Sequence, residues 1–304
     1  MMVYRNYSHD QLEAQFVLDS VSQLDVLFEK RLKRSANSRT RLEPRLDVRY
    51  GTHKDQTLDI FLDKTVEQNG CIHMFIHGGF WHSLDAKTFS FVADGFCGDG
   101  TVVIVVDYPM FPDVNFQIIV DSCQRAIHWI YEHGSELNVD PKKITISGNS
   151  AGGHLVALLI ARDWPIEKNL PADVVSAGCA ISGLYDLEPV RQSTKNKILG
   201  MSEDDVYAYS PIHNIPREAG ELLFIVGENE TDEFLYQQVE IADSWSKAGL
   251  QSSSRVVPNR NHIDIVMDEL ALNGSESVSY THLRAHETTL HLVCRLLLEK
   301  KKLH

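Results

Sequence analysis

The feature that most constrains this chain is a recurrence: short, almost uninterrupted apolar runs, each followed by a loop and then by apolar residues at helical spacing. The runs read CIHMFIHGG, TVVIVVDY, KITISGN, VVSAGCAISG and ELLFIVGE, with SSRVVPN as a last strand. Helix-like stretches lie near residues 86–97, in FQIIVDSCQRAIHWIYEHG, in AGGHLVALLIARD and near 234–248. A strand that is apolar on both faces must be covered on both faces. The expected fold is therefore α/β, a mainly parallel central sheet with helices on both faces and right-handed crossovers. RLDVRYG and QTLDIFLD alternate instead, and predict a hairpin of edge strands ahead of that sheet. Ser8 with Gln11 makes a capping box for one long opening helix, its apolar positions at Leu12, Phe16, Val21, Leu24 and Leu27.

Composition excludes several function classes. The 304 residues are 43% hydrophobic, enough for one large core. The net charge of −13 argues against nucleic-acid binding, which needs a basic surface to displace counterions from phosphates. The one basic cluster, residues 29–45 with seven Lys and Arg, reads as a solvated helix end and loop. No apolar run approaches the roughly 18 residues that span a bilayer, and the N-terminus lacks a signal-peptide core, so a soluble, cytoplasmic protein is expected. Five widely spaced cysteines (Cys71, Cys97, Cys123, Cys179, Cys294) fit reduced buried thiols, and no Cys/His cluster calls for a metal or other cofactor.

In such a sheet the chemistry gathers at the carboxyl ends of the strands. Three of these ends carry suggestive residues. His77-Gly78-Gly79-Phe80-Trp81 has paired glycines that let backbone N–H groups approach a substrate oxygen. Gly148-Asn149-Ser150-Ala151-Gly152 passes from strand to helix through small residues, the setting of a nucleophile on a sharp turn. GENETDEF carries the acids Glu230 and Asp232, and His262 follows 32 residues beyond Glu230. The chain order is serine, acid, histidine. The Asp107-Tyr108 strand end is placed either to orient the His77 loop or to make a plain strand-end turn, and His154 to pack rather than react.

HGGFW, the GNSAGG elbow, SGLYDLEPV and GENETDEF together resemble the kynurenine formamidases (arylformamidases) of the α/β-hydrolase superfamily, over roughly residues 45–275. The resemblance implies a serine hydrolase acting on a linear amide C–N bond, that of N-formyl-L-kynurenine in tryptophan catabolism. It implies Ser150, His262 and Glu230 as the triad, with Asp232 as the alternative acid because the family ordinarily places Asp where this chain has Glu230. Gly78, Gly79 and Ala151 would form the oxyanion hole, Phe80, Trp81 and Tyr185 would contact the aromatic amine, and His77 would support the loop. The expected partner is a small-molecule substrate, and the surface leaves room for a homodimer. Two rivals share parts of this pattern: a broad carboxylesterase of the hormone-sensitive-lipase-like group, and a non-catalytic hydrolase-fold binding module.

The expected organisation is an N-terminal helical segment (1–44) packed on a catalytic domain (45–276). Residues 277–304 resemble a translated adapter or vector remnant, so His282, His286 and His291 receive no metal role.

Overall fold

The computed structural model describes residues 2–17, 23–62, 70–96 and 100–270. The segment 277–304, Val21, Cys97 and Cys294 lie outside the described residues.

An eight-stranded sheet dominates, in the order β10-β9-β8-β7-β5-β6-β4-β3. Its strands are β3 (Arg45–Arg49), β4 (Thr57–Phe61), β5 (Gly70–Ile76), β6 (Thr101–Val106), β7 (Val139–Asn149), β8 (Val175–Ile181), β9 (Glu221–Gly227) and β10 (Ser252–Val257). All neighbours from β10 to β6 are parallel; β4 pairs antiparallel with β6, and β3 with β4. A separate antiparallel pair, β1 (Met2–Tyr4) and β2 (Tyr7–Ser8), precedes it. The predicted hairpin is present, but only β3 is an edge. β4 has a neighbour on each side and is buried along its whole length.

Alternation along the strands feeds two separate cores, which is why the runs look uninterrupted. Ile72, Met74 and Ile76 of β5, with Val102, Ile104 and Val106 of β6, face one core. Phe75, Val103 and Val105 face the other. The first core packs on α3 (Phe116–His133) and α4 (Ala151–Leu159), the second on the 3₁₀ helix Ala86–Gly95 and α10 (Asp264–Glu269). The helix expected near 86–97 is thus 3₁₀, with Asp85 capping its Thr88 N–H at 2.8 Å. Short helices α5 (Asp163–Glu167), α6 (Glu188–Arg191), α7 (Asn196–Leu199) and α8 (Glu203–Tyr209) fill the connections on either side of β8, and α9 (Asp232–Lys247) crosses from β9 to β10. Cys71, Cys123 and Cys179 are buried. Among the described residues no helix is long and apolar enough to cross a membrane.

The single opening helix is corrected. Its capping box is real, but α1 (His9–Gln15) stops at Phe16, and α2 (Leu24–Leu42) starts afresh from a left-handed Gln23. The reading of the basic cluster is corrected in part: Lys30, Lys33, Arg41 and Arg45 are exposed, but the helix that carries the cluster is docked on one face. Arg31, Ser35 and Ser38 of α2 are buried. Arg31 donates to the Ile263 carbonyl at 3.1 Å, Ser35 to the Thr88 carbonyl at 2.8 Å and Ser38 to Asp94 at 2.8 Å.

Chain direction reverses at β5: the chain steps from β5 to β6 on one side, then returns to β7 on the other. The crevice beyond the carboxyl ends of β5 and β7 is therefore the switch point, where open α/β sheets place their sites.

Candidate active site

Both strands at that switch point end in strained turns that touch. Ser150 has φ 59° and ψ −118°, the backbone of a side chain lifted off a strand-to-helix corner. Only glycine fits around it. A Cβ on Gly152 would stand 2.0 Å from the Ile76 carbonyl oxygen, and one on Gly148 2.4 Å from the Gly152 oxygen. On the β5 side, a Cβ on Gly78 would lie 2.6 Å from the Asn149 oxygen and 3.1 Å from the Ser150 Cβ, so this loop backs directly on the elbow. Ala151 is the first residue of α4, where a backbone N–H has no intrahelical acceptor. The Ser150 N–H is already given to the Ile181 carbonyl at 2.8 Å.

The loop after β5 is fixed from beneath. Buried His77 bonds through Nδ1 to its neighbour's carbonyl, Gly78 O, at 2.7 Å, and stacks on Tyr108 at 4.5 Å. The Tyr108 hydroxyl donates to the His77 carbonyl at 2.9 Å. His77 Nε2 stands 3.5 Å from Asp107 Oδ1, too far to form a hydrogen bond of ordinary geometry. That Asp107 oxygen accepts instead from the Ala86 N–H at 2.7 Å.

After β9, Glu230 turns back on its own strand. Its Oε2 meets His262 Nδ1 at 2.6 Å, while Oε1 accepts from Ser182 Oγ at 2.5 Å and from the Gly227 N–H at 2.8 Å. The carboxylate is completely buried and the imidazole almost so. Asp232 is exposed at the start of α9, so of the two acids the structure brings Glu230 to His262.

Two of the three expected aromatic contacts are corrected. Trp81 is completely buried, edge-on to Phe116 at 5.2 Å and to His154 at 5.0 Å. Tyr185 is 1% exposed, and its ring covers the Gly183 backbone so closely that a Cβ there would lie 2.6 Å from it. Neither ring faces open space. Half-buried Phe80 is the aromatic left at the rim. His154 packs as expected, its Nε2 on the Tyr209 carbonyl at 2.7 Å, and burial pushes its pKa down to about 4.

Sequence reasoning missed three contributors. Ser182 sits just past β8, a strand end whose position alone singles it out. Phe234 stacks obliquely on His262 at 4.5 Å. Phe16, 1% exposed, meets both Phe80 at 6.2 Å and Phe234 at 6.3 Å, joining the two sides of the site from above. Nothing in local sequence pairs a residue of α1's C-terminus with the loops after β5 and β9.

The sequence profile of the BD-FAE family matches residues 58–233, more than half of the chain. The chain belongs to the BD-FAE family. Curated relatives of this BD-FAE chain include the kynurenine formamidase of Salmo salar, 26% identical over 227 residues, 73% of this chain and 75% of that one. The kynurenine formamidase of Drosophila melanogaster is 25% identical, over 75% of this chain and 77% of that one. The carboxylesterase NlhH of Mycobacterium tuberculosis is 31% identical, but over 126 residues, 40% of this chain and 39% of its own. Among solved structures, a protein of Silicibacter sp. provisionally described as a thioesterase superposes with TM-score 0.77 at 24% identity, over 88% of this chain and 98% of that one. The carboxylesterase EstE1 gives 0.64 at 15% identity, over 86% and 98%. The BD-FAE chain has the α/β-hydrolase fold.

Proposed function

We propose that this protein is a serine hydrolase of aryl formamides, converting N-formyl-L-kynurenine to L-kynurenine and formate. Likeness to kynurenine formamidases over about three quarters of both chains carries the choice of substrate. The Glu230–His262 contact supports the chemistry. With Nδ1 engaged by the carboxylate, His262 Nε2 is the nitrogen that can take a proton from Ser150. Ser150 Oγ attacks the formyl carbon, and the carbonyl electron pair moves onto oxygen. The N–H groups of Ala151 and of Gly78 or Gly79 receive that oxyanion, each such donor being worth about 3 kcal/mol of barrier. Collapse breaks the C–N bond, and the imidazolium returns its proton to the departing arylamine. Water then attacks the formyl-enzyme with His262 as base, releasing formate and free Ser150. The hydrolase domain would run over residues 45–276 with 1–44 packed on it, in the cytoplasm.

Purified protein should hydrolyse N-formylkynurenine, and Ser150→Ala should fold normally yet lose nearly all of that activity, leaving only the background from the oxyanion hole. More than about a tenth of wild-type rate in Ser150→Ala would remove Ser150 from the mechanism. The second reading, a carboxylesterase, is favoured by the NlhH likeness. A preference for butyryl esters over a formyl anilide would decide for it.

A further inference from the structure

One cation stands beside the proposed oxyanion turn without an ion-pair partner among the described residues. The Lys195 ammonium lies 5.0 Å from the centre of the Phe80 ring, and Phe80 directly follows Gly79. Among the described residues Lys195 makes no ion pair. Glu13, bonded by the neighbouring Thr194 through its N–H at 2.5 Å and its hydroxyl at 2.6 Å, keeps its negative charge but makes no ion pair with the ammonium. His82 also feels the lysine's charge: its pKa is lowered by burial and then by that charge, so it offers no negative partner. An ammonium without an ion pair is conspicuous in a chain with 42 acidic and 29 basic side chains.

The backbone that presents this lysine is fixed, although its side chain is not buried. The Lys195 N–H donates to Ser193 Oγ at 3.2 Å. Just beyond, the Asn196 side chain bonds the Met201 N–H at 2.7 Å and its carbonyl at 3.1 Å, closing the turn around α7. A firm loop that sets a reaching cation beside the Gly78-Gly79 turn favours an anionic group on whatever binds there.

We propose that Lys195 binds a carboxylate on the leaving amine, making this enzyme selective for aryl formamides that carry an acidic side chain over neutral anilides. The proposal rests on the formamidase reading above. A formyl group has one carbon and no charge, so an anion on the substrate must belong to the amine half. The ortho side chain of a kynurenine ends in such a carboxylate, several bonds from the scissile nitrogen. Phe80 would hold the ammonium on the rim through its ring face, ready to exchange that weak contact for a charged hydrogen bond.

The test is a ratio of kcat/KM: N-formylkynurenine against its carboxamide analogue, in wild type, Lys195→Met and Lys195→Arg. Wild type should prefer the carboxylate by roughly 10- to 100-fold, the scale of one charge-assisted hydrogen bond, mainly through KM. Lys195→Met should bring the ratio near one, Lys195→Arg should restore most of it, and added salt should narrow the wild-type preference. A wild-type ratio near one, or a ratio unchanged in Lys195→Met, overturns the proposal while brisk formamide turnover leaves the formamidase reading standing. No turnover of either formamide alongside active ester hydrolysis overturns both.

Discussion

At the scale of single residues, the acid of the site is held at both oxygens. Glu230 has one methylene more than the aspartate ordinary in the formamidases, and the extra length is taken up by folding Oε1 against Ser182 and the Gly227 N–H. Glu230→Gln should cut turnover by several orders of magnitude, about 10⁴-fold in comparable triads, while Asp232→Asn stays within about twofold. Kinetics on the two variants check this, and the reverse ranking would move the acid role to Asp232. Ser182→Ala should cost about 10-fold in kcat with little change in KM, because it leaves Oε1 held by the Gly227 N–H alone without touching substrate. The Ser150 turn and the Glu230–His262 pair were legible in the sequence because each member lies just past a strand end. Ser182 lies at a strand end too, but its pairing with Glu230 was not legible, since the two are 48 residues apart and nothing local marks the pair. Trp81 was misread for a backbone reason. Phe80 and Trp81 both take left-handed φ, 50° and 56°, and the two successive turns drive the indole back into the core instead of out beside the glycines. Such residues cost about 1–2 kcal/mol each, offset here by the indole's burial.

At the scale of elements, hydrophobic periodicity found the strands and the crossover helices but misjudged the N-terminal ones. α2 buries Arg31, Ser35 and Ser38, a polar stripe at helical spacing that no apolar count detects. It binds the 3₁₀ helix through carbonyls that a looser, i→i+3 winding leaves available, as at Thr88 and Lys87. Ser35→Ala, nearly the same volume, should therefore strand the Thr88 carbonyl and lower stability by about 1–3 kcal/mol. Thermal denaturation would show a fall of several degrees in Tm; an unchanged Tm would mean that α2 docks by shape alone. The helix break at Phe16 was invisible for a related reason: the apolar residues of α1 and α2 keep one spacing, while the left-handed Gln23 that separates them carries no sequence signature.

At the scale of the whole molecule, the buried His154 couples stability to pH. Its folded pKa of about 4 lies below its ordinary value, so between roughly pH 6.5 and 4 the unfolded chain binds a proton that the folded one refuses. Stability is thus fully present above about pH 6.5 and lost on acidification, by up to about 3 kcal/mol from this residue. His154→Gln, which retains a donor for the Tyr209 carbonyl, should flatten that part of a stability curve measured by denaturant unfolding from pH 7 to 4. An equally steep acid limb in the variant would assign the loss elsewhere.

The N-terminal segment ties distant parts of the chain together over the site. Tyr4 donates to Asp186 at 2.7 Å, Arg5 to Glu233 at 3.1 Å, Glu13 holds Thr194, and Gln15 accepts from Thr231 at 2.9 Å. These partners lie 181 to 228 residues further along the chain. On the ribosome, Tyr4, Arg5, Glu13 and Gln15 therefore emerge long before these partners exist. At roughly 5–20 residues per second the wait is on the order of ten to forty seconds, during which these four contacts cannot form. A nascent chain stalled before β9 would hold the Ser150 turn without Glu230 or His262, so the proposed triad is completed only late in synthesis, at the stage when the partners of the N-terminal segment also emerge.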